Sequence, residues 1–476
     1  MKLTIKQAVA GIAKKQVLLA ACVATLSTGA WAGEFRLPAF ETSKLANGLT
    51  IYLMERHDVP LISVQAVVKA GSVADGEQAG LSNLTGDALL LGTATYNKKT
   101  LDQTFDFRGA RIASQTNADA TALIADFARD DANTLLPIMA DVLMHPGFDA
   151  REFVKLRGRT VDGLKQAKES PRNVMQDYYR SMLFGKGAYA IPVAGSVSSV
   201  NVLERTDAQA FHQRYYRPDN AALVVVGDFK PTVMRAKLEQ LFGSWQAAGT
   251  LPVMHDKGVV HADKARVWLV NKPDAGETTF MFGGAGIARN DPDYVPLQVI
   301  NTILGGRFTS WLNDELRVNS GLTYGARSGF SSLADAGTFA VSSFTATAKT
   351  EAALALADKT YHRLWDKGID AATLESAKAY IKGQYPPRFE TNLQLAGLLG
   401  DMFVSKVGRE QIDHFMQDVD SLTVEKARQL VDKHFPRDKL QMLLIGKAEV
   451  IRPIASRYGE VTELEIAADG FAPTKK

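Results

Sequence analysis

A stretch near the middle of the chain recurs near its end. Residues 214–228 read Arg-Tyr-Tyr-Arg-Pro-Asp-Asn-Ala-Ala-Leu-Val-Val-Val-Gly-Asp, and residues 433–446 read Lys-His-Phe-Pro-Arg-Asp-Lys-Leu-Gln-Met-Leu-Leu-Ile-Gly. Tyr216 and Phe435, Asp219 and Asp438, and Gly227 and Gly446 are each 219 residues apart. In both copies a helical pattern begins at a capping residue, Thr206 or Thr423, and runs to an aromatic. It then breaks at proline-containing residues and passes into an apolar strand closed by glycine. Solenoid units repeat every 20–50 residues or so, so a period this long marks duplicated domains instead. A chain of 476 residues exceeds one compact core in any case, because domains run to about 100–200 residues.

Each half opens on strand-like sequence: residues 49–69 alternate apolar and polar in part, and residues 266–270 begin the second half similarly. Helical patterns follow at 132–144, 153–168, 352–367 and 371–385. Between the halves, residues 248–264 carry Gly249, Pro252 and Gly258 without a clear period and read as a linker. The expected organisation is a domain over 33–247, the linker, and a domain over 265–476. Both halves are expected to be α+β, each a mainly antiparallel sheet with helices packed on one face. The content of 22% charged and 46% hydrophobic residues excludes disorder, collagen and coiled coil as the main theme. A single cysteine excludes a disulfide framework and any zinc site built from several thiolates.

Residues 1–32 have the pattern of a signal peptide. Lys2, Lys6, Lys14 and Lys15 precede an apolar run over 17–26, and Ala30-Trp31-Ala32 supplies a small-x-small cleavage site. That run is too short for a hydrocarbon layer of about 30 Å, and no later segment reads as a transmembrane helix. The chain is therefore expected to be exported, periplasmic in a Gram-negative bacterium. A competing reading takes Leu19-Ala20-Ala21-Cys22 as a lipoprotein processing site with Cys22 acylated. Removing the four leader lysines turns the formal charge of +3 into −1. The mature chain thus gives no argument for nucleic acid or anionic lipid as a partner.

Chemistry-bearing motifs are sparse. The eight histidines are His57, His145, His212, His255, His261, His362, His414 and His434, and no two lie four residues apart. There is no G-x-S-x-G elbow and no phosphate-binding glycine loop followed by Lys-Ser or Lys-Thr.

One set of segments does carry a resemblance. Gly71-Ser72-Val73 is followed at residues 80–93 by Gly-Leu-Ser-Asn-Leu-Thr-Gly-Asp-Ala-Leu-Leu-Leu-Gly-Thr. With residues 117–121, residues 215–227, Leu304-Gly305-Gly306 and Phe389-Glu390-Thr391, in that order, the chain resembles the pitrilysin, insulinase and mitochondrial-processing-peptidase family of zinc peptidases. That family writes the 80–93 stretch as G-L-A-H-x-x-E-H-x-L-x-x-G-T. The resemblance places its two histidine ligands on Asn83 and Asp87, its catalytic glutamate on Gly86, and its third ligand at or near Gly163. Zinc catalysis requires three protein ligands, an open position for water and a base, so the resemblance implies a degenerate zinc site.

The resemblance also implies that Arg317 and Tyr324, seven residues apart around Gly321, act in trans. The tyrosine would donate to the oxyanion and the arginine would hold a substrate carbonyl. Gly305 and Gly306 would approach the substrate, with Arg307 and Arg327 as nearby charges. Trp311 stands where many relatives carry arginine. From spacing alone, Arg317 and Tyr324 read more readily as a helix-terminal cation and a packed strand residue.

Taken together, the expectation is a non-catalytic subunit in a clam-like, bowl-shaped fold. It binds no cofactor itself and pairs with a homologous subunit that bears zinc on H-x-x-E-H and cleaves unfolded peptides. Two other readings stay open: a peptide-binding or scaffold protein without proteolysis, and a stand-alone hydrolase using a displaced metal.

Overall fold

The computed structural model describes residues 36–252 and 262–473. The leader with its Ala32 and Cys22 readings, and the middle of the 248–264 linker, lie outside the described residues. Two six-stranded sheets dominate. The first has β1 (Glu41–Lys44), β2 (Thr50–Glu55), β3 (Leu61–Val68), β4 (Arg111–Thr116), β5 (Thr121–Ala128) and β6 (Ala221–Gly227), in the order β1-β2-β6-β3-β5-β4. The second has β7 (Arg266–Asn271), β8 (Glu277–Ala285), β9 (Ala326–Ser332), β10 (Gly337–Ala346), β11 (Gln441–Gly446) and β12 (Glu460–Glu465), in the order β12-β7-β11-β8-β10-β9. This is the expected α+β duplication.

The repeated apolar strands are β6 and β11, and they hold equivalent places. Each runs parallel to one neighbour and antiparallel to the other, and every residue of both is buried. Val64 lies opposite Val225 in the first sheet and Phe280 opposite Leu444 in the second, with Val225 and Leu444 again 219 apart. The duplication breaks at one edge. β1 comes from before the core strands and pairs antiparallel with β2, whereas β12 comes from after them and pairs parallel with β7. Residues 49–69 form two strands, β2 and β3, which do not pair because β6 lies between them. Flanking strands and covered faces bury most of β3, which is why the alternation there is only partial.

The helices follow the apolar periodicity closely: Ala132–Met144, Ala150–Ala167, Thr350–Asp366 and Ala371–Gln384. Thr423 caps its helix as expected, accepting from Lys426 N at 3.1 Å. Thr206 does not cap. Its helix begins at Arg205, because the Asp207 carboxylate accepts from Glu204 N at 2.8 Å and fixes the start there.

Helices cover more than one face of each sheet. The Pro171–Phe184 helix of the first half packs on β8 and β11 of the second, burying Val174, Tyr178, Tyr179 and Met182 against Trp268, Met281, Leu443 and Ile445. The Asn392–Ser405 helix of the second half lies on β3 and β6 of the first, where Val67 and Ala122 meet Phe403. The exchange is secured by Tyr179 Oη donating to Phe339 O at 3.0 Å and Asn392 Nδ2 donating to Leu61 O at 3.2 Å. The 117–121 motif adds a further tie: Asp119 accepts from Tyr189 Oη at 2.6 Å and from Ala334 N at 3.0 Å. Among the described residues, no helix is long and apolar enough to cross a membrane.

Candidate functional site

Three of the four positions expected to form a degenerate zinc site, Asn83, Gly86 and Asp87, sit on a short helix, Leu81–Ala88. Its start is set by Asp75, whose buried carboxylate accepts from Gly80 N and Ser82 N, both at 2.8 Å. Gly80 takes a left-handed conformation at φ 93°, which only glycine adopts without penalty. Leu81, Leu84 and Ala88 anchor the helix in the first core, leaving Asn83 and Asp87 partly exposed four residues apart on one face.

Gly86 is buried against the edge of the first sheet. A Cβ there would lie 2.8 Å from Ser114 Oγ, 2.9 Å from Thr116 Oγ1 and 2.9 Å from Thr121 Cγ2. Side chains of β4 and β5 thus fill the space that a longer side chain at this position would need. Gly305 in the second half also abuts an edge strand, with its would-be Cβ 2.2 Å from Ser328 N in β9.

Gly163, on the Ala150–Ala167 helix, has open space where a Cβ would stand. One turn earlier on that helix is Arg159, whose positive charge acts on Asp87. A fixed positive charge therefore acts at a position where the family's site would gather a metal ion. One carboxylate, one amide, a glycine in place of the third ligand and a nearby fixed cation do not fit zinc. Arg159 was legible in the sequence from its i, i+4 relation to Gly163.

Burial pushes the Asp87 carboxyl up to about 6, against the opposing pull of Arg159. A carboxyl raised in the folded state favours folding at low pH, and that contribution is lost as pH climbs from about 4 through about 6. Asp87→Asn should therefore raise stability at pH 8 by on the order of 1–2 kcal/mol while changing little near pH 4. Urea midpoints at the two pH values test this, and an equal shift at both would show that Asp87 does not titrate in this range.

Arg317 and Tyr324 come together on the opposite half. Arg317 lies in the last turn of the helical segment Asp314–Asn319, Gly321 reverses the chain at φ 60°, and Tyr324 follows in a loop. Both line one open cleft of about 500 Å³ with Glu277, Leu322, Phe344 and Lys349. Tyr324 is 83% exposed. The Arg317 guanidinium stacks over the Phe308 ring at 4.7 Å. β9 begins only at Ala326, so Tyr324 is not a strand residue. Thr323 Oγ1 accepts from Gly325 N at 3.1 Å and Ser343 Oγ donates to Gly325 O at 2.9 Å, which hold the intervening residues as a loop.

Gly305 and Gly306 close a helix that begins at Tyr294. Gly305 is buried against β9 while Gly306 is exposed. Asn301 Nδ2 donates to Ser328 O at 3.1 Å alongside them. Trp311 is buried, its ring covered by the Arg363 guanidinium at 4.1 Å, and so serves packing. Arg307 donates to Ser376 Oγ at 3.0 Å, and Arg327 is exposed on β9.

Sequence reasoning missed one cluster. Asp291, Asp293 and His434 approach one another closely enough to hold an ion. Asp293 already accepts from Lys433 Nζ at 2.6 Å and pairs with His434 Nε2 at 2.7 Å, so an ammonium occupies the carboxylate.

Comparison with known proteins places these features. Residues 51–196 match the sequence profile described as Insulinase (Peptidase family M16), and residues 203–381 match the one described as Peptidase M16 inactive domain. The chain is 22% identical over 393 residues to the uncharacterized zinc protease YmxG of Bacillus subtilis, covering 82% of this chain and 95% of that one. It is 25% identical over 397 residues to the uncharacterized zinc protease ML0855 of Mycobacterium leprae, covering 82% and 89%. Among solved structures it is similar to a peptidase M16 inactive domain from Pseudomonas fluorescens, with TM-score 0.80, 25% identity, and 86% and 98% of the two chains covered. A protease from Helicobacter pylori shares the fold at TM-score 0.79 and 20% identity, covering 86% and 100%.

Proposed function

Because the chain belongs to the M16 peptidase family and is of its non-catalytic type, we propose that it is the non-catalytic subunit of an exported, heteromeric zinc metallopeptidase. The observation that carries the reading is an asymmetry between the halves. The positions that would hold metal and base are Asn83, Gly86, Asp87 and Gly163, with the Gly86 position closed by packing. Arg317 and Tyr324, by contrast, stand in an open cleft. A homologous partner with an intact H-x-x-E-H supplies the zinc and the proton acceptor.

This chain's part is positioning and charge stabilisation. The Tyr324 hydroxyl donates to the oxygen on which negative charge develops, and Arg317 holds a substrate carbonyl or offsets that charge. The substrate is an unfolded peptide bound in part by strand addition to a sheet edge. Of the four sheet edges, β1, β4, β9 and β12, the receiving strand is β4, which packs against the Leu81–Ala88 helix. The periplasm is the proposed compartment, with cleavage after Ala32 favoured over acylation at Cys22 by the length of the apolar run.

Alone, the purified chain is expected to carry far less than one zinc per molecule by elemental analysis and to leave unfolded peptides intact. One zinc per chain would remove the proposal. Co-expression with a homologous H-x-x-E-H chain from the same source is expected to give a complex that cleaves those peptides. A complex that forms but gains nothing over the zinc-bearing chain alone would favour a peptide-binding scaffold instead.

A further inference from the structure

The cleft that holds Arg317 and Tyr324 is strongly unbalanced in charge. Three cations border it: Arg317, Lys349 and Arg172, the last stacked over the cleft residue Phe344 at 4.2 Å. The one acid lining it, Glu277, is paired with Arg172 at 3.7 Å. Arg317 has an aromatic neighbour, Phe308, and among the described residues neither it nor Lys349 has a carboxylate within salt-bridge distance. The floor is apolar, formed by Leu322 and the Phe344 ring, and Phe308 and Val318 stand exposed beyond Arg317. Elsewhere on this surface basic side chains commonly meet acids, as in Lys98–Asp102, Lys155–Glu152 and Arg452–Glu463. Here two cations from different elements converge on one cleft and stay uncompensated.

We propose that this cleft is a subsite for a peptide carboxylate: it selects unfolded peptides with a glutamate or aspartate beside the carbonyl held by Arg317. The acidic side chain reaches Lys349 while its neighbours lie on Leu322 and Phe344. The inference deepens the function proposed above by naming the class of peptide. The carboxylate gains from two cations in a partly enclosed cleft, whereas a lysine in the same place meets like charge and no free acid.

The test uses the isolated chain and three fluorescein-labelled, unstructured peptides that differ only in a central Glu, Gln or Lys. The Glu peptide is expected to bind about fivefold more tightly than the Gln peptide at low salt, and the Lys peptide most weakly. The difference should shrink at 0.5 M salt, as screening requires. Lys349→Glu, an exposed change whose folding is checked by circular dichroism, is expected to reverse the order of the Glu and Lys peptides.

Equal binding of the three peptides, no detectable binding of the Glu peptide, or an unchanged order in the Lys349→Glu variant would each overturn the proposal. The outcome is separable from that of the two-subunit reading. A Glu preference in an isolated chain that no zinc-bearing partner activates would leave this subsite standing and remove the peptidase role. A competent pair that cleaves all three peptides equally would do the reverse.

Discussion

Replacing Tyr324 by phenylalanine in the proposed two-subunit peptidase is expected to lower kcat by about 100-fold or more and to leave assembly intact. A donor fixed where negative charge develops is worth roughly 3–4 kcal/mol to the transition state. The loss should fall mainly on kcat, because the hydroxyl acts on an oxyanion that the ground state lacks. Assembly and folding should be spared, since the side chain is 83% exposed and, among the described residues, makes no hydrogen bond to protect. A rise in KM with kcat unchanged would place Tyr324 in binding alone. Unchanged turnover would remove it from the reaction and leave the cleft as a docking surface.

That prediction rests on a pair of residues whose sequence signal is weak by itself. Seven-residue spacing around a glycine is compatible with an ordinary helix end and strand, and the resemblance alone singled the pair out. What the sequence lacked was the loop. Thr323 and Ser343 bond to Gly325 and delay β9 until Ala326, so Tyr324 points out from the strand's approach instead of packing within it. The Ser343 bond joins residues 18 apart across the β9–β10 pairing, and no local pattern announces it.

The duplicated sheets were more legible, for a physical reason. β6 and β11 are buried along their whole lengths, so their apolar runs and closing glycines carry a continuous signal. The exchanged helices were not. Apolar periodicity marks a face on Pro171–Phe184 and Asn392–Ser405 but says nothing of which sheet that face will cover. The Gly86 position lies between these cases. The resemblance implies a missing base at this position, whereas Ser114, Thr116 and Thr121 closing over it is visible only in three dimensions.

This closure sets up the second large expectation, that the lost site cannot be rebuilt by restoring its motif. Asn83→His, Asp87→His and Gly163→Glu together should raise zinc affinity, because Asn83 and Asp87 are partly exposed and Gly163 has open space around it. Arg159→Ala should raise it further by removing the fixed charge that acts on position 87. That metal-binding variant should still cleave nothing, since it has no base. Adding Gly86→Glu must displace Ser114, Thr116 and Thr121 and bury a carboxylate. Overpacking alone costs about 1–3 kcal/mol, and the unpaired charge adds to it. The expected product is a destabilised, inactive protein, read by urea unfolding and peptide cleavage side by side. A stable variant with one bound zinc and peptidase activity would mean that β4 and β5 yield easily, and that packing had not sealed the site after all.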